Sequence, residues 1–208
     1  MTRRLPVVAG LLGLLALAGC VNFERQYPQK QTFILDVARP QQAPPAAAGI
    51  LWVERIRVVP AFLGKNFVYR TGELAYEPDY YSEFLVDPGT LFKEATVRLL
   101  AAAGLFREVL GKAGPREPDY YLSGTVSELY GDFRPGVPAK AVLAIDFTLE
   151  RQKTARTETL LRRRYRREIP LAERTPAALA RGWNEALGQI LGQFAADLRK
   201  QGLPERGK

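Results

Sequence analysis

The chain has 208 residues, of which 47% are hydrophobic and 25% are charged, a balance typical of soluble globular proteins. It has a formal charge of +8, no histidine and a single cysteine, Cys20. This composition excludes an intramolecular disulfide, zinc sites built on histidine or on several cysteines, and catalysis by Ser-His-Asp or Cys-His groups.

The N-terminal residues predict a bacterial lipoprotein precursor. A short basic segment precedes an apolar run at residues 5–18, which is too short to span a membrane but suits a signal peptide. The run ends in Leu17-Ala18-Gly19-Cys20, a lipobox-like motif in which small residues precede the thiol nucleophile. We therefore expect cleavage before Cys20 and acyl chains such as palmitate on that residue, with no other cofactor and no metal. The alternative is an ordinary secretory signal with an incidental cysteine.

The residue after the cysteine predicts the location of the mature protein. Val21 occupies a position at which aspartate, in families that sort lipoproteins by this residue, retains the protein in the inner membrane. We therefore expect a lipid anchor on the periplasmic face of the outer membrane. The positive charge suits anionic lipid headgroups, and an exported protein is not expected to meet nucleic acid.

The sequence divides into a signal, a tether and one domain. Residues 1–19 are the predicted signal peptide, and residues 20–49 are the predicted lipidated N-terminus with a Pro/Ala-rich tether. A short strand-like run at residues 32–37 falls within that tether. Residues 50–208 are predicted to form a single periplasmic domain.

The predicted domain contains strands and two helices. The predicted strands, in chain order, are residues 50–59, 66–70, 73–77, 106–110, 120–133, 139–150 and 157–169. One helix is predicted to begin at Asp87-Pro88 and the other at Thr175-Pro176, because each pair supplies a capping side chain and a first-turn proline.

Apolar periodicity identifies the predicted core. The strand at residues 120–133 places Tyr120, Leu122, Val126 and Tyr130 on one face. The second helix carries an apolar stripe that we interpret as core: Leu179, Trp183, Leu187, Ile190, Phe194 and Leu198. The sequence therefore predicts an α+β domain, with a mostly antiparallel sheet and two helices packed on one face.

The basic run at residues 162–167 is the strongest anomaly, with five arginines among six residues. On a strand, Arg162, Arg164 and Arg166 share one face, and the intervening residues share the other. Because both faces carry charge, we interpret the run as an extended ribbon or a sheet edge that projects beyond the core. The charge either protects this edge from aggregation or forms a surface for anionic headgroups or an acidic partner.

A family resemblance rests on the order of several loose motifs. They are the lipobox, ERIRVVP at residues 54–60, FVYR at residues 67–70, YSEF at residues 81–84, YYLSGTV at residues 120–126, and the Ala/Leu-rich C-terminal helix. Together these motifs resemble the ABC-type transport auxiliary lipoproteins, a family that includes the outer-membrane lipoprotein of the paraquat-inducible Pqi system.

The resemblance implies a non-enzymatic accessory subunit of a lipid-transport system. Members of that family work beside MCE-type proteins, so the implied partner is an MCE-type transport protein or its permease complex, with a homo-oligomer left open. The sequence lacks Gly-x-Ser-x-Gly and the Walker and dinucleotide glycine motifs, which also disfavours a catalytic role. The alternatives are a structural or assembly lipoprotein of the outer membrane and, less favoured, a cell-wall hydrolase.

Overall fold

The computed structural model describes residues 29–37, 49–112, 114–153 and 156–203, which form an α+β fold. The predicted signal peptide, the lipobox and Cys20 lie outside the described residues. The strands are β1 (Gln31–Phe33), β2 (Ile50–Val58), β3 (Asn66–Arg70), β4 (Tyr76–Phe84), β5 (Glu108–Leu110), β6 (Tyr120–Asp132), β7 (Lys140–Gln152) and β8 (Thr157–Pro170). The helices are α1 (Pro88–Ala102) and α2 (Pro176–Gln201).

All of these strands belong to one sheet, which branches at β6. On one side of β6, β7 and then β8 pair in antiparallel fashion. On its other side, the first half of β6 pairs with β2, which is followed by β5. The end of β6 pairs with β3, which is followed by β4 and β1. Strands β8 and β1 therefore lie at opposite edges of the sheet.

The prediction of a mostly antiparallel sheet was wrong, because the sheet is mixed. The parallel pairs are β1–β4, β2–β5, β2–β6 and β3–β6. Helix α1 crosses back over the sheet between β4 and β5, so β5 and β6 run in the same direction as β2. Alternation along a strand shows which face each residue occupies, but it does not identify the neighbouring strand.

The sheet begins before the predicted start of the domain. Strand β1 pairs with β4, and Leu35 is buried in the core. The backbone N–H of Asp36 donates a hydrogen bond to the side-chain oxygen of Asn184 in α2 at 2.7 Å. Residues 31–37, which the sequence assigns to the tether, are therefore part of the fold. The sequence indicated a strand-like run at residues 32–37, but a strand of three residues gives no signal of the strand with which it pairs.

Both helices begin where the sequence predicts. The Asp87 carboxylate accepts a hydrogen bond from the backbone N–H of Thr90 at 3.1 Å. The Thr175 hydroxyl oxygen accepts one from the backbone N–H of Ala178 at 3.2 Å. These side chains satisfy backbone donors that have no partner within the first turn of a helix.

One hydrophobic core joins the two helices to the sheet, and it includes the whole predicted apolar stripe of α2. Trp183 is fully buried, and its ring centroid lies 4.8 Å from that of Phe67 and 5.4 Å from that of Phe84. Further along α2, Phe194 stacks on Phe147 with a centroid distance of 4.7 Å. Helix α2 therefore supports β3 and β4 at one position and β7 at another.

A β-bulge in β6 changes one detail of the predicted core. The register between β6 and β7 shifts between Val126 and Glu128. After the shift Leu129 takes the core position, opposite Leu143. Tyr130 therefore lies on the other face of the sheet, and its predicted position on the face of Val126 was wrong. An inserted residue reverses the alternation of every side chain that follows it.

Candidate interaction surfaces

The predicted arginine run lies on β8, which pairs with β7 alone among the described strands. Arg162, Arg164 and Arg166 are exposed on the open face of the sheet, away from α2. Tyr165 between them is buried and belongs to the core. The prediction of a sheet edge is therefore confirmed, but the prediction that it projects beyond the core was wrong, because one face of the run packs on the core through Tyr165.

On the helix side, the carboxylate of Asp197 connects β8 to α2. The Tyr165 hydroxyl and the Arg163 guanidinium both donate to Asp197 Oδ2, at 2.8 Å and 2.9 Å. Gln193 donates to Oδ1 at 2.9 Å. The hydrogen bond from Tyr165, with further contributions from Gln193 and Arg163, holds the pKa of Asp197 below its usual range. Burial and the bond to Asp197 raise the pKa of Tyr165.

On the open face, two of the predicted arginines contact carboxylates of the same chain. Arg164 and Arg166 both donate to Glu128 of β6, with 2.8 Å between Arg166 Nε and Glu128 Oε2. Arg166 also donates to Glu168 at 2.6 Å, and Lys140 of β7 contacts Glu168 at 2.8 Å. Hydrogen bonds from Lys140 and from Arg166 hold the pKa of Glu168 below its usual range.

Arg162 differs from these two arginines, because it makes no ion pair within the described part of the chain. It borders an open depression of about 280 Å³, together with Asp146 and Thr148 of β7. Asp146 itself accepts a hydrogen bond from Ser127 at 2.7 Å. Of the predicted trio, Arg162 is therefore the side chain that can meet an external anion without breaking an ion pair.

The opposite edge of the sheet carries apolar and aromatic side chains that the sequence analysis missed. Ile34 and Leu85 are each 53% exposed, and Tyr80 is 72% exposed. The ring centroids of Tyr80 and Tyr81 lie 5.1 Å apart, and the amine of Lys30 lies 5.7 Å from the Tyr80 centroid. We call this surface the β1–β4 patch and define it as Ile34, Tyr80, Tyr81 and Leu85.

An irregular stretch of β4 exposes the two tyrosines. The register between β3 and β4 shifts over residues 78–83. One oxygen of Asp79 accepts the backbone N–H groups of Tyr81 and Ser82, at 2.7 Å and 3.1 Å, and the other accepts the Tyr69 hydroxyl at 2.6 Å. Burial and the bond to Asp79 raise the pKa of Tyr69. The consecutive tyrosines were the available signal, since neighbouring residues of a strand point to opposite faces.

The described residues contain a further groove, and none of their side-chain clusters is a candidate metal site. A groove of about 1080 Å³ between α1 and β5 is lined by both apolar and charged residues, among them Val97, Leu110, Lys93 and Glu94. No His/Cys/Asp/Glu group in the described ranges could hold a metal ion. Neither α1 nor α2 combines the length and apolarity that a membrane span requires.

Comparison with known proteins identifies a family and supports the fold. The family model described as ABC-type transport auxiliary lipoprotein component matches residues 33–195. A crystal structure of a protein from Xanthomonas campestris is similar, with a TM-score of 0.71 and 14% identity, over 83% of this chain and 96% of that chain. A second crystal structure, of an uncharacterized protein, has a TM-score of 0.63 and 17% identity, over 82% of this chain and 99% of that chain. No curated protein sequence matches the chain.

Proposed function

The chain belongs to the family of ABC-type transport auxiliary lipoprotein components, and we propose that it serves an MCE-type system that moves lipids between the membranes of the bacterial envelope. In this proposal the protein is a non-enzymatic subunit at the periplasmic face of the outer membrane. The match to residues 33–195 carries the proposal, because it extends from β1 into α2 and does not depend on one short motif.

The proposed anchor is Cys20 with its acyl chains. Cys20 is the sole cysteine, so a lipoprotein with this sequence has one thiol for acylation. Leu17, Ala18 and Gly19 before it supply the lipobox pattern, and Val21 after it favours the outer membrane. Several acyl chains together give a stable membrane anchor without a membrane-spanning helix.

The proposed partner-binding surface is the open side of β8. Arg162 has no ion pair among the described residues, and the side chains of Arg164 and Arg166 remain 50% and 40% exposed although they contact Glu128. A surface ion pair contributes about 0–1 kcal/mol, so these arginines can exchange one carboxylate for another at little cost. The chemistry that fits this edge is an acidic surface on the transport protein or its permease complex.

The anchor is tested by Cys20→Ala in a bacterial envelope. We expect the variant to lack lipid and to be either uncleaved or released from the membrane fraction. Ala18→Gly keeps a small residue in the lipobox and is the matched control, which should still be processed. Cleavage of Cys20→Ala at the same bond, with unchanged membrane fractionation, would contradict the lipoprotein assignment.

The transport role is tested by purification of the full lipoprotein in mild detergent. We expect an MCE-type protein or its permease complex to be recovered with it. The combined variant Arg162→Gln, Arg164→Gln and Arg166→Gln should recover less partner, and the remaining binding should lose its dependence on salt. Recovery of outer-membrane assembly components alone would instead favour the structural alternative.

A control for this variant removes the same charge elsewhere. Arg107, Arg116 and Arg181 are exposed and lie outside β8, so their combined replacement by glutamine gives an equal change in net charge. An equal loss of partner from both triple variants would show that net charge, and not the β8 surface, controls recovery.

A further inference from the structure

The β1–β4 patch is an exposed surface that the partner proposal does not use. The backbone N–H of Leu85 donates to the carbonyl of Phe33 at 2.8 Å, which places Ile34 and Leu85 side by side after β1 and β4. Tyr80 and Tyr81 lie toward the beginning of β1 and contact each other. The four side chains therefore lie along one edge of the sheet, with the tyrosines near the start of β1 and Ile34 and Leu85 just after its end.

Two lysines lie at this border. The amine of Lys30 is near the Tyr80 ring and 3.3 Å from Glu83. The amine of Lys65 donates to the carbonyl of Leu85 at 3.2 Å and has no carboxylate partner within the described ranges. Apolar side chains bordered by tyrosine and lysine are typical of membrane–water interfaces, where tyrosine lies at headgroup level and lysine meets phosphate.

The position of the anchor also favours a lipid surface. Ten residue-to-residue steps lead from Cys20 to Lys30, so this segment reaches about 35 Å at most. Strand β8 lies five strand spacings from β1, which corresponds to about 24 Å across the sheet. The β1–β4 patch can meet the membrane at any extension of the segment, whereas β8 can meet it only when the segment is extended to about two thirds of its full length or more.

We propose that the β1–β4 patch rests on the phospholipid surface of the membrane that anchors the protein. The arginine edge of β8 then points into the periplasm, toward a transport partner. This proposal rests on the proposed acylation of Cys20 and adds a fixed orientation to it. A lipid leaflet fits the patch better than a second copy of the chain, because the anchor brings this edge to the membrane and the lysines suit phosphate.

The test uses the mature, acylated protein in vesicles of phosphatidylethanolamine and phosphatidylglycerol. In that protein the Cys20 sulfur is a thioether, so an introduced cysteine is the only free thiol. Leu85→Cys and Ile34→Cys place an environment-sensitive fluorophore in the patch. Thr159→Cys, exposed on β8, is the control at the opposite edge. Lipids that carry a quencher report contact with the leaflet, and flotation reports the anchor separately.

We expect lipid-borne quenching of the probes at Leu85 and Ile34 to be at least several-fold stronger than at Thr159. Equal quenching at both edges in a protein that floats with the vesicles would overturn the orientation while leaving the anchor intact. A blue-shifted probe at Leu85 that lipid does not quench would assign the patch to a protein contact and overturn the proposal. Failure to float would contradict the anchor itself and, with it, both proposals.

Discussion

The two outer edges of the sheet differ in what their side chains contact. Strand β8 has 14 residues, and its arginines meet three carboxylates: Glu168 of β8 itself, Glu128 of β6 and Asp197 of α2. Strand β1 has three residues, and the apolar and aromatic side chains of the adjoining β1–β4 patch are exposed. The charges of the first edge are largely compensated within the chain, whereas the apolar surface of the second edge is not covered by the described residues.

This difference shows that a run of charge is weak evidence for binding when it is considered alone. In the sequence the arginines look unbalanced, because Asp197 and Glu128 lie 34 and 38 residues from their partners Arg163 and Arg166. Exposed apolar side chains have no such compensation within the chain. Apolar surface left in water costs roughly 25 cal/mol per Å². A cluster of them therefore points more directly to an interaction than the charges do.

The largest expected effect tests the core that supports both edges. Trp183→Ala should lower the free energy of unfolding by about 3–5 kcal/mol, because it empties a fully buried aromatic site. It also removes the indole hydrogen bond to the carbonyl of Val142, which measures 3.2 Å. Since Trp183 packs on Phe67 and Phe84, hydrogen exchange should increase more in β3 and β4 than in β8. Urea unfolding measures the decrease in the free energy of unfolding.

The other tryptophan of the chain provides the matched control. Trp52 lies on β2 and is only partly buried, so Trp52→Ala should be clearly less destabilising. Equal losses from the two substitutions would show that Trp183 does not have the central packing role described above.

The next effect concerns the β8 edge. Asp197→Ala should cost about 1–3 kcal/mol, because it leaves the hydroxyl of buried Tyr165 without its acceptor. Protection from hydrogen exchange should fall first in β8, the reverse of the order expected for Trp183→Ala. Asp36→Ala is the control, because Asp36 is 74% exposed in a long ion pair with Arg98. A loss no greater than that of the control would contradict the role of Asp197 as the link between β8 and α2.

Much of this fold was predictable because its signals are local. Asp87 and Thr175 lie directly before the prolines that begin the two helices, and their capping bonds are formed as expected. The spacing of Trp183 and Phe194 along α2 identified the buried stripe without knowledge of the sheet. Each of these inferences depends on residues within a few turns of one another.

The parts that were not predicted depend on contacts between distant residues. The bulge near Glu128 gives no signal in the alternation, yet it turns Tyr130 to the other face. The β1–β4 patch combines residues near position 34 with residues near position 80, which only the parallel pairing of β1 and β4 brings together. Whether two strands pair in parallel depends on how the chain connects them, and the residues of either strand do not indicate it.

Acid should weaken the β8 edge by a smaller amount than Asp197→Ala does. The pKa of Asp197 in the folded protein lies below the ordinary value of 3.8, and that of Glu168 lies below 4.5. A lowered pKa stabilises the fold fully above the ordinary value, and this contribution is lost as pH falls through the folded value. The free energy of unfolding should therefore decrease as pH falls below about 5. Asp197→Asn should show a shallower decrease, and an unchanged slope would contradict the assignment.

The smallest expected change in stability is the one that best separates the two interpretations of the arginine edge. Glu128→Gln keeps the shape of the side chain but removes the charge that Arg164 and Arg166 share. Because all three side chains are partly exposed, the free energy of unfolding should change by only about 0–1 kcal/mol.

Binding is where this variant should have its larger effect. If β8 meets an acidic partner, Glu128→Gln removes a competing carboxylate, so recovery of the transport partner should rise and become more dependent on salt. The change is then opposite in sign to that of the variant lacking Arg162, Arg164 and Arg166. Glu150→Gln alters net charge equally at a position without an ion pair in the described residues, and it should leave recovery unchanged. A binding surface made of these arginines must respond when its internal counter-charge is removed. Equal recovery of partner with wild type, Glu128→Gln and Glu150→Gln would therefore show that the arginines only protect a sheet edge.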